Sequence, residues 1–221
     1  MQFTTDDVFE MFSISKTRLY DNLELLYYSN CSARGEQHQD AILRTVREHG
    51  KQKYQSMHEW CAGHGAIGFS VLATGLAEKI SLSDKFLPAI VSCRFTALRN
   101  NFENQTKIFK IESFDAIPED ERWDLVIADP PHHGDESSNQ GTWNQDGRRQ
   151  VLDENYEAHR CFFNNLKKHL LTDADIFLLE GAQASTPEDF KPMIESGGLH
   201  YVDSYFMKEW PKHYLMHIKP A

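Results

Sequence analysis

Residues 124–132 read DLVIADPPH and decide the fold of this chain. The aliphatic run at 125–128 predicts a strand buried on both faces. It ends there because the prolines that follow lack the N–H of a sheet ladder and hold their predecessor extended. The chain must then turn just beyond a sheet edge, where α/β proteins tend to place ligands. Asp129, the Pro130 carbonyl and His132 would form an acceptor-rich corner suited to a substrate N–H. A turn without function fits the tetrapeptide equally well.

The composition limits the classes of function. The chain has 221 residues, enough for one or two domains, and a formal charge of -10, which weighs against gripping phosphate backbones. No apolar stretch approaches a membrane span, and the start lacks the features of a signal peptide, so we expect a cytoplasmic protein. Four scattered cysteines without a Cys-x-x-Cys pair argue against a zinc knuckle or a disulfide frame.

The pattern divides the chain into a helical front section and an alternating core. Residues 1–53 are predicted to form a helical cap with helices over 15–28 and 40–49. In residues 54–221, short apolar runs alternate with helical stretches, which predicts βαβ units around a largely parallel sheet. The predicted core elements are strands at 54–60, 80–83, 107–111, 125–128 and 176–179, helices at 66–76, 87–102, 153–170 and 187–196, and a hairpin of 199–206 with 214–218.

The segment 133–150 has no periodicity and is predicted to be a surface loop. Such loops are often lids or binding loops, although plain disorder explains the composition equally well. With Tyr27 from the front section, His133 and Trp143 in this segment are candidate substrate-binding residues.

Glycines where the first core strand meets its helix predict a turn under a ligand. Gly63, Gly65 and Gly68 let the backbone come close to a ligand, and the helix start presents unpaired N–H groups. This spacing alone is weak and could equally signal a dinucleotide. Asp84, at the end of the next strand, lies where an acceptor for ribose hydroxyls belongs, and a helix cap is the alternative.

Three motifs, at 63–68, 84–90 and 124–132, resemble in order those of class I S-adenosylmethionine-dependent methyltransferases. The narrower resemblance is to the branch with an Asn/Asp-Pro-Pro-Tyr/Phe motif, which includes release-factor glutamine N-methyltransferases and several adenine and guanine N-methyltransferases. The resemblance covers about residues 54–221. It implies a Rossmann-like, seven-stranded, mostly parallel sheet with a reversed last strand, and S-adenosylmethionine bound across the carboxyl ends of the strands.

The resemblance also implies roles for individual residues. Glu59 would face the methionine ammonium and Asp84 the ribose hydroxyls, while Ser113 and Phe114 stand where an acid usually approaches adenine. The full set of implied cofactor residues is Glu59, Cys61, Gly63, Gly65, Gly68, Asp84, Lys85, Ser113 and Phe114.

The acceptor corner departs twice from the family pattern. Asp129 replaces the Asn of the glutamine enzymes and, when ionised, only accepts hydrogen bonds, which favours an amine or ring N–H over an amide. His132 replaces an aromatic residue and could stack on a substrate or accept a proton. Asp129, Pro130 and His132 are therefore the catalytic candidates, with Pro131 a substrate contact.

The leading hypothesis is a methyltransferase that acts on a nitrogen of a small molecule or peptide and releases S-adenosylhomocysteine. Methylation of an RNA or DNA base and a non-catalytic, cofactor-binding regulatory subunit are the alternatives. We expect no metal, because the histidines lack a third ligand at a fixed spacing. Neither a membrane partner nor an oligomeric state is indicated by the sequence.

Overall fold

The computed structural model describes residues 14–28, 35–131 and 153–221, which build an α/β fold. Its strands are β1 (Ile14–Tyr20), β2 (Leu23–Tyr28), β3 (Tyr54–Trp60), β4 (Ala77–Asp84), β5 (Thr106–Lys110), β6 (Trp123–Ala128), β7 (Leu170–Gly181), β8 (Leu199–Met207) and β9 (Trp210–Pro220). Its α-helices are α1 (Gly35–His49), α2 (Ala66–Ala73), α3 (Leu87–Arg99), α4 (Glu157–Leu166) and α5 (Pro187–Ser196). No helix within these ranges is long and apolar enough to cross a membrane.

Seven strands form one sheet in the order β5-β4-β3-β6-β7-β9-β8. Strands β3 to β7 run parallel, whereas β9 is antiparallel to both of its neighbours. The predicted seven-stranded sheet with a reversed last strand is confirmed. The chain leaves β3 toward one side of the sheet and later returns to build the other side from β6. The carboxyl ends of β3 and β6 therefore flank the crevice where such sheets bind ligands.

The sheet is buried on both faces, as the aliphatic run in β6 predicts. Leu125 and Ile127 belong to one apolar cluster, while Val126 and Ala128 belong to the other. Because successive side chains of a strand point to opposite faces, helices must cover both sides of β6. The central strands are thereby held rigidly, and the loops at their carboxyl ends carry the site.

The predicted helix over 15–28 is wrong, because this segment is a β-hairpin of β1 and β2. Tyr20 pairs with Leu23, which leaves a two-residue turn at Asp21 and Asn22. The helix predicted at 40–49 is present and begins earlier, at Gly35. The predicted helical cap is thus a hairpin plus one helix, and buried residues of both belong to the same core cluster as the sheet.

The outer edge of β2 is bonded by side chains of α3 in place of another strand. The hydroxyl of Thr96 accepts the Leu26 N–H at 2.9 Å and donates to the Leu26 carbonyl at 3.2 Å. The side chain of Asn100 likewise accepts from the Glu24 N–H and donates to its carbonyl, each at 2.9 Å. These side chains supply long-range backbone partners that make the hairpin more favourable here than a helix.

Candidate active site

The turn between β3 and α2 is built from left-handed backbone and held by a buried carboxylate. Gly63 and Gly65 have φ values of 55° and 79°, and Cys61, which is not a glycine, has a φ of 57°. The Gly68 N–H donates to Glu59 Oε2 at 2.8 Å. A Cβ on Gly68 would lie 2.7 Å from that oxygen, so the close approach requires glycine.

Asp84 links the end of β4 to the same turn. One of its carboxylate oxygens accepts the Gly63 N–H and the other accepts the Phe86 N–H, both at 2.8 Å. The bond to Phe86 is the local turn bond that the helix-cap interpretation predicts, while the bond to Gly63 shapes the glycine turn. Each carboxylate oxygen has a second lone pair, which suits a pair of ribose hydroxyls.

Glu59 and Asp84 place two buried carboxylates at the ends of adjacent strands. This donor set fits a cofactor that combines positive charge with vicinal hydroxyls, as S-adenosylmethionine does. A direct contact of Glu59 with the methionine ammonium stays a prediction, since this side chain is 2% exposed and bonds the turn.

The residues predicted near adenine occupy different environments. Ser113 is exposed, donates a hydrogen bond to Asp115 and lies 3.6 Å from the Cys161 thiol. Phe114 is 1% exposed, with its ring centroid 4.9 Å from that of Phe162. Stacking of Phe114 on adenine stays a prediction that this burial disfavours. Lys85 is exposed just after β4, and its cofactor contact also stays a prediction.

The acceptor corner follows β6 at the carboxyl edge, as predicted. Trp60 pairs with Ala128, so Asp129 is one residue beyond β6 where Cys61 is one residue beyond β3. Asp129 is partly buried and Pro130 fully buried. Among the residues that the structure describes, none donates a hydrogen bond or forms an ion pair with the Asp129 carboxylate. Three further candidates, His132, His133 and Trp143, lie outside the described residues, and Pro131 is partly buried.

Tyr27 connects the N-terminal hairpin to the glycine turn. Its ring centroid lies 4.7 Å from that of His64, and its hydroxyl is 2.9 Å from the Thr17 hydroxyl. A substrate contact of Tyr27 stays a prediction.

A buried ion triad of Asp153, His159 and Glu180 was missed in the sequence. His159 Nδ1 is 2.5 Å from an Asp153 oxygen, and Nε2 is 2.8 Å from a Glu180 oxygen. Burial alone would lower the pKa of His159, but the two carboxylates raise it to about 9. The available signal was Glu180, a charged residue that ends the apolar run of β7.

The comparisons with known proteins agree with this architecture. A family model described as the methyltransferase small domain matches residues 40–145. The fold is that of a class I methyltransferase. The match includes the glycine turn, Asp84 and the corner at Asp129, and it supports the predicted cofactor, S-adenosylmethionine. The narrower resemblance to the release-factor branch receives no support from it. A search of curated proteins finds no significant match.

Solved methyltransferases with this fold differ in what they act on. A ribosomal protein methylase from Lactobacillus delbrueckii subsp. bulgaricus has a TM-score of 0.61 at 10% identity, over 84% of this chain and 79% of that one. Mitomycin 7-O-methyltransferase has a TM-score of 0.61 at 13% identity, over 86% of this chain and 56% of its own. A 16S rRNA methyltransferase from T. thermophilus, in complex with AdoMet and guanosine, has a TM-score of 0.60 at 14% identity, over 94% of this chain and 50% of its own. The methyltransferase fold therefore leaves the acceptor open.

Proposed function

We propose that this chain transfers the methyl group of S-adenosylmethionine to a nitrogen of a small molecule or peptide. The observation that carries the proposal is the partly buried Asp129 carboxylate, which follows β6 beside the glycine turn. None of the described residues bonds it, and carboxylates that serve only a structural role are normally hydrogen-bonded when buried.

The corner is suited to aligning a nitrogen whose lone pair is delocalised. Asp129 and the Pro130 carbonyl accept hydrogen bonds from the N–H groups and so aim the lone pair at the methyl carbon. The nitrogen forms the new C–N bond while the C–S bond breaks with its electron pair going to sulfur. The proton then leaves the nitrogen, and His132 is the candidate to receive it.

The cofactor half of the site falls to the residues around β3 and β4. Glu59 and Asp84 supply negative charge and hydroxyl acceptors, and the glycine turn offers backbone that can approach closely. When bound, S-adenosylmethionine supplies the electrophilic methyl group and the leaving group, so the protein contributes alignment and exclusion of water.

A nucleic-acid base is the second candidate acceptor. The similarity to the 16S rRNA methyltransferase favours it, whereas the charge of -10 on the chain disfavours a surface that binds phosphates. The two candidates differ in salt dependence, because only RNA binding releases many counterions.

The test measures methyl transfer from tritiated S-adenosylmethionine to a fixed panel of guanosine, adenosine, glutamine and lysine peptides, and an RNA transcript. Asp129→Ala should lower the rate roughly 100-fold while affinity for S-adenosylhomocysteine is retained. Asp173→Asn is the control, because Asp173 is exposed near the start of β7 at the opposite edge. Transfer to RNA alone, lost with added salt, would favour the base. Cofactor binding with no transfer to any member would indicate a regulatory subunit.

A further inference from the structure

The chain enters α4 through two strained residues. Asn155 has φ 54° and ψ 20°, and Tyr156 has φ 56° and ψ 36°. Left-handed backbone is unfavourable for residues with a Cβ, and least suited to a bulky aromatic residue. Two such residues in succession persist only when their surroundings hold them, and strain of this kind concentrates at functional sites.

Hydrogen bonds on both sides hold this strained pair. The Asp153 carboxylate accepts the N–H groups of Ala158 at 2.9 Å and His159 at 3.0 Å. The Arg160 guanidinium donates to the carbonyl of Asn155. The geometry of the segment is thus fixed at its start by Asp153 and at its end by the first turn of α4.

The ion triad attaches this segment to the sheet beside the acceptor corner. His159 joins Asp153 to Glu180, which lies two residues beyond the pair of Leu178 with Ala128. Pro130 also lies two residues beyond that pair, on the neighbouring strand. Glu180 and the proline of the acceptor corner are therefore at the same level of the carboxyl edge.

The side chain that the strained backbone presents is Tyr156. It is partly buried, with its ring centroid 5.9 Å from His159 and 5.3 Å from Phe190. Burial, together with the nearby carboxylates of Asp189 and Glu180, raises the pKa of Tyr156 to about 12. The hydroxyl stays protonated at neutral pH and can both donate and accept a hydrogen bond.

We propose that Tyr156 is a specificity-determining residue of the acceptor site, and that the triad of Asp153, His159 and Glu180 positions it. The inference rests on the proposed function, because the acceptor corner is assigned there. The triad has one net negative charge when His159 is protonated, so together with Asp129 it disfavours anionic acceptors. A neutral or cationic nitrogen compound with a polar group that reaches the phenol is the class selected.

The test compares Tyr156→Phe, Tyr156→Ala and His159→Gln with the wild type on the same panel, to which guanosine 5′-monophosphate is added. Asn165→Ala is the control, since Asn165 is also in α4 and bonds only toward Cys161. We expect the Tyr156 variants to raise KM for the preferred acceptor at least tenfold and to change the ranking of the panel. His159→Gln should shift KM in the same direction, and all variants should bind S-adenosylhomocysteine within twofold of the wild type.

The outcomes separate this inference from the proposed function. Unchanged KM values and ranking in both Tyr156 variants would overturn the inference, provided that Asp129→Ala has lost transfer. Full transfer by Asp129→Ala would instead refute the proposed function. A parallel loss of S-adenosylhomocysteine affinity in His159→Gln would place the triad in cofactor binding and also overturn the inference. Wild-type preference for the monophosphate over guanosine would contradict the charge argument.

Discussion

Asp84→Asn should separate cofactor binding from folding, because the chain offers a matched control at the opposite edge of the sheet. Asp84 and Asp124 are both 6% exposed. Each accepts two backbone N–H groups, Asp84 those of Gly63 and Phe86, and Asp124 those at 55 and 56, at distances of 2.8 to 2.9 Å. Asp84 ends β4 at the carboxyl edge, while Asp124 lies near the start of β6.

The two substitutions should cost the same stability. An amide has one acceptor oxygen, so in each variant one backbone N–H faces an NH₂ group. A hydrogen bond to a charged group contributes about 1.5–3 kcal/mol, and each variant should lose about that much free energy of unfolding. Only Asp84→Asn should also lose affinity for S-adenosylhomocysteine, by roughly tenfold or more for each 1.4 kcal/mol of lost ribose contact.

Urea unfolding and titration calorimetry with S-adenosylhomocysteine measure the two quantities. The calorimetry is run at a temperature where both variants are folded, so that instability alone cannot mimic weak binding. Equal affinity in Asp84→Asn and Asp124→Asn, whether retained or lost, would refute the assignment of Asp84 to the ribose. A difference confined to Asp84→Asn would support it.

Three further predictions concern stability. Thr96→Val removes both bonds to the backbone of Leu26 and should cost about 2–4 kcal/mol in urea unfolding, with faster hydrogen exchange at the Leu26 amide; Thr45→Val, which loses one bond inside a helix, should cost less than half as much. Gly68→Ala puts a Cβ 2.5 Å from a side-chain atom and should lower stability by about 1–3 kcal/mol and weaken S-adenosylhomocysteine binding, and unchanged melting and binding would contradict this. His159 has a pKa raised to about 9, so its stabilising contribution is full below the unfolded value of about 6.5 and is lost as the pH rises through 9; His159→Gln should flatten the pH dependence of unfolding in that window.

The core of the fold and the cofactor half of the site were predictable because they depend on local patterns. The aliphatic run of β6, the prolines after it and the glycines at 63–68 are each sufficient to define one element and one turn. Spacing fixed helix α5 at its true bounds, Pro187–Ser196. What these segments share is that their partners follow from the regular geometry of a parallel sheet.

The hairpin at the front was not predictable from periodicity. Both faces of β2 are covered, so Leu25 and Leu26 are buried in succession and the alternation of a strand disappears. The spacing of the apolar residues then imitates a helix. The hydrogen bonds that decide the matter come from α3, about 70 residues away, and the Asp21-Asn22 turn was the one local sign of a hairpin.

The ion triad escaped prediction for a related reason. Asp153 precedes α4 and was assigned as its cap, which the bonds to Ala158 and His159 agree with. That His159 would reach across to Glu180 depends on how α4 packs on β7, and no spacing in the sequence encodes that contact.

The bonds from α3 to β2 also bear on how molecules of this protein avoid each other. A bare strand edge invites pairing with a strand from another molecule, the first step of ordered aggregation. On β2, Thr96 and Asn100 occupy the backbone groups that such pairing would use. A helix thus closes this edge without lengthening the sheet, and variants that remove both side chains should aggregate even where the monomer still folds.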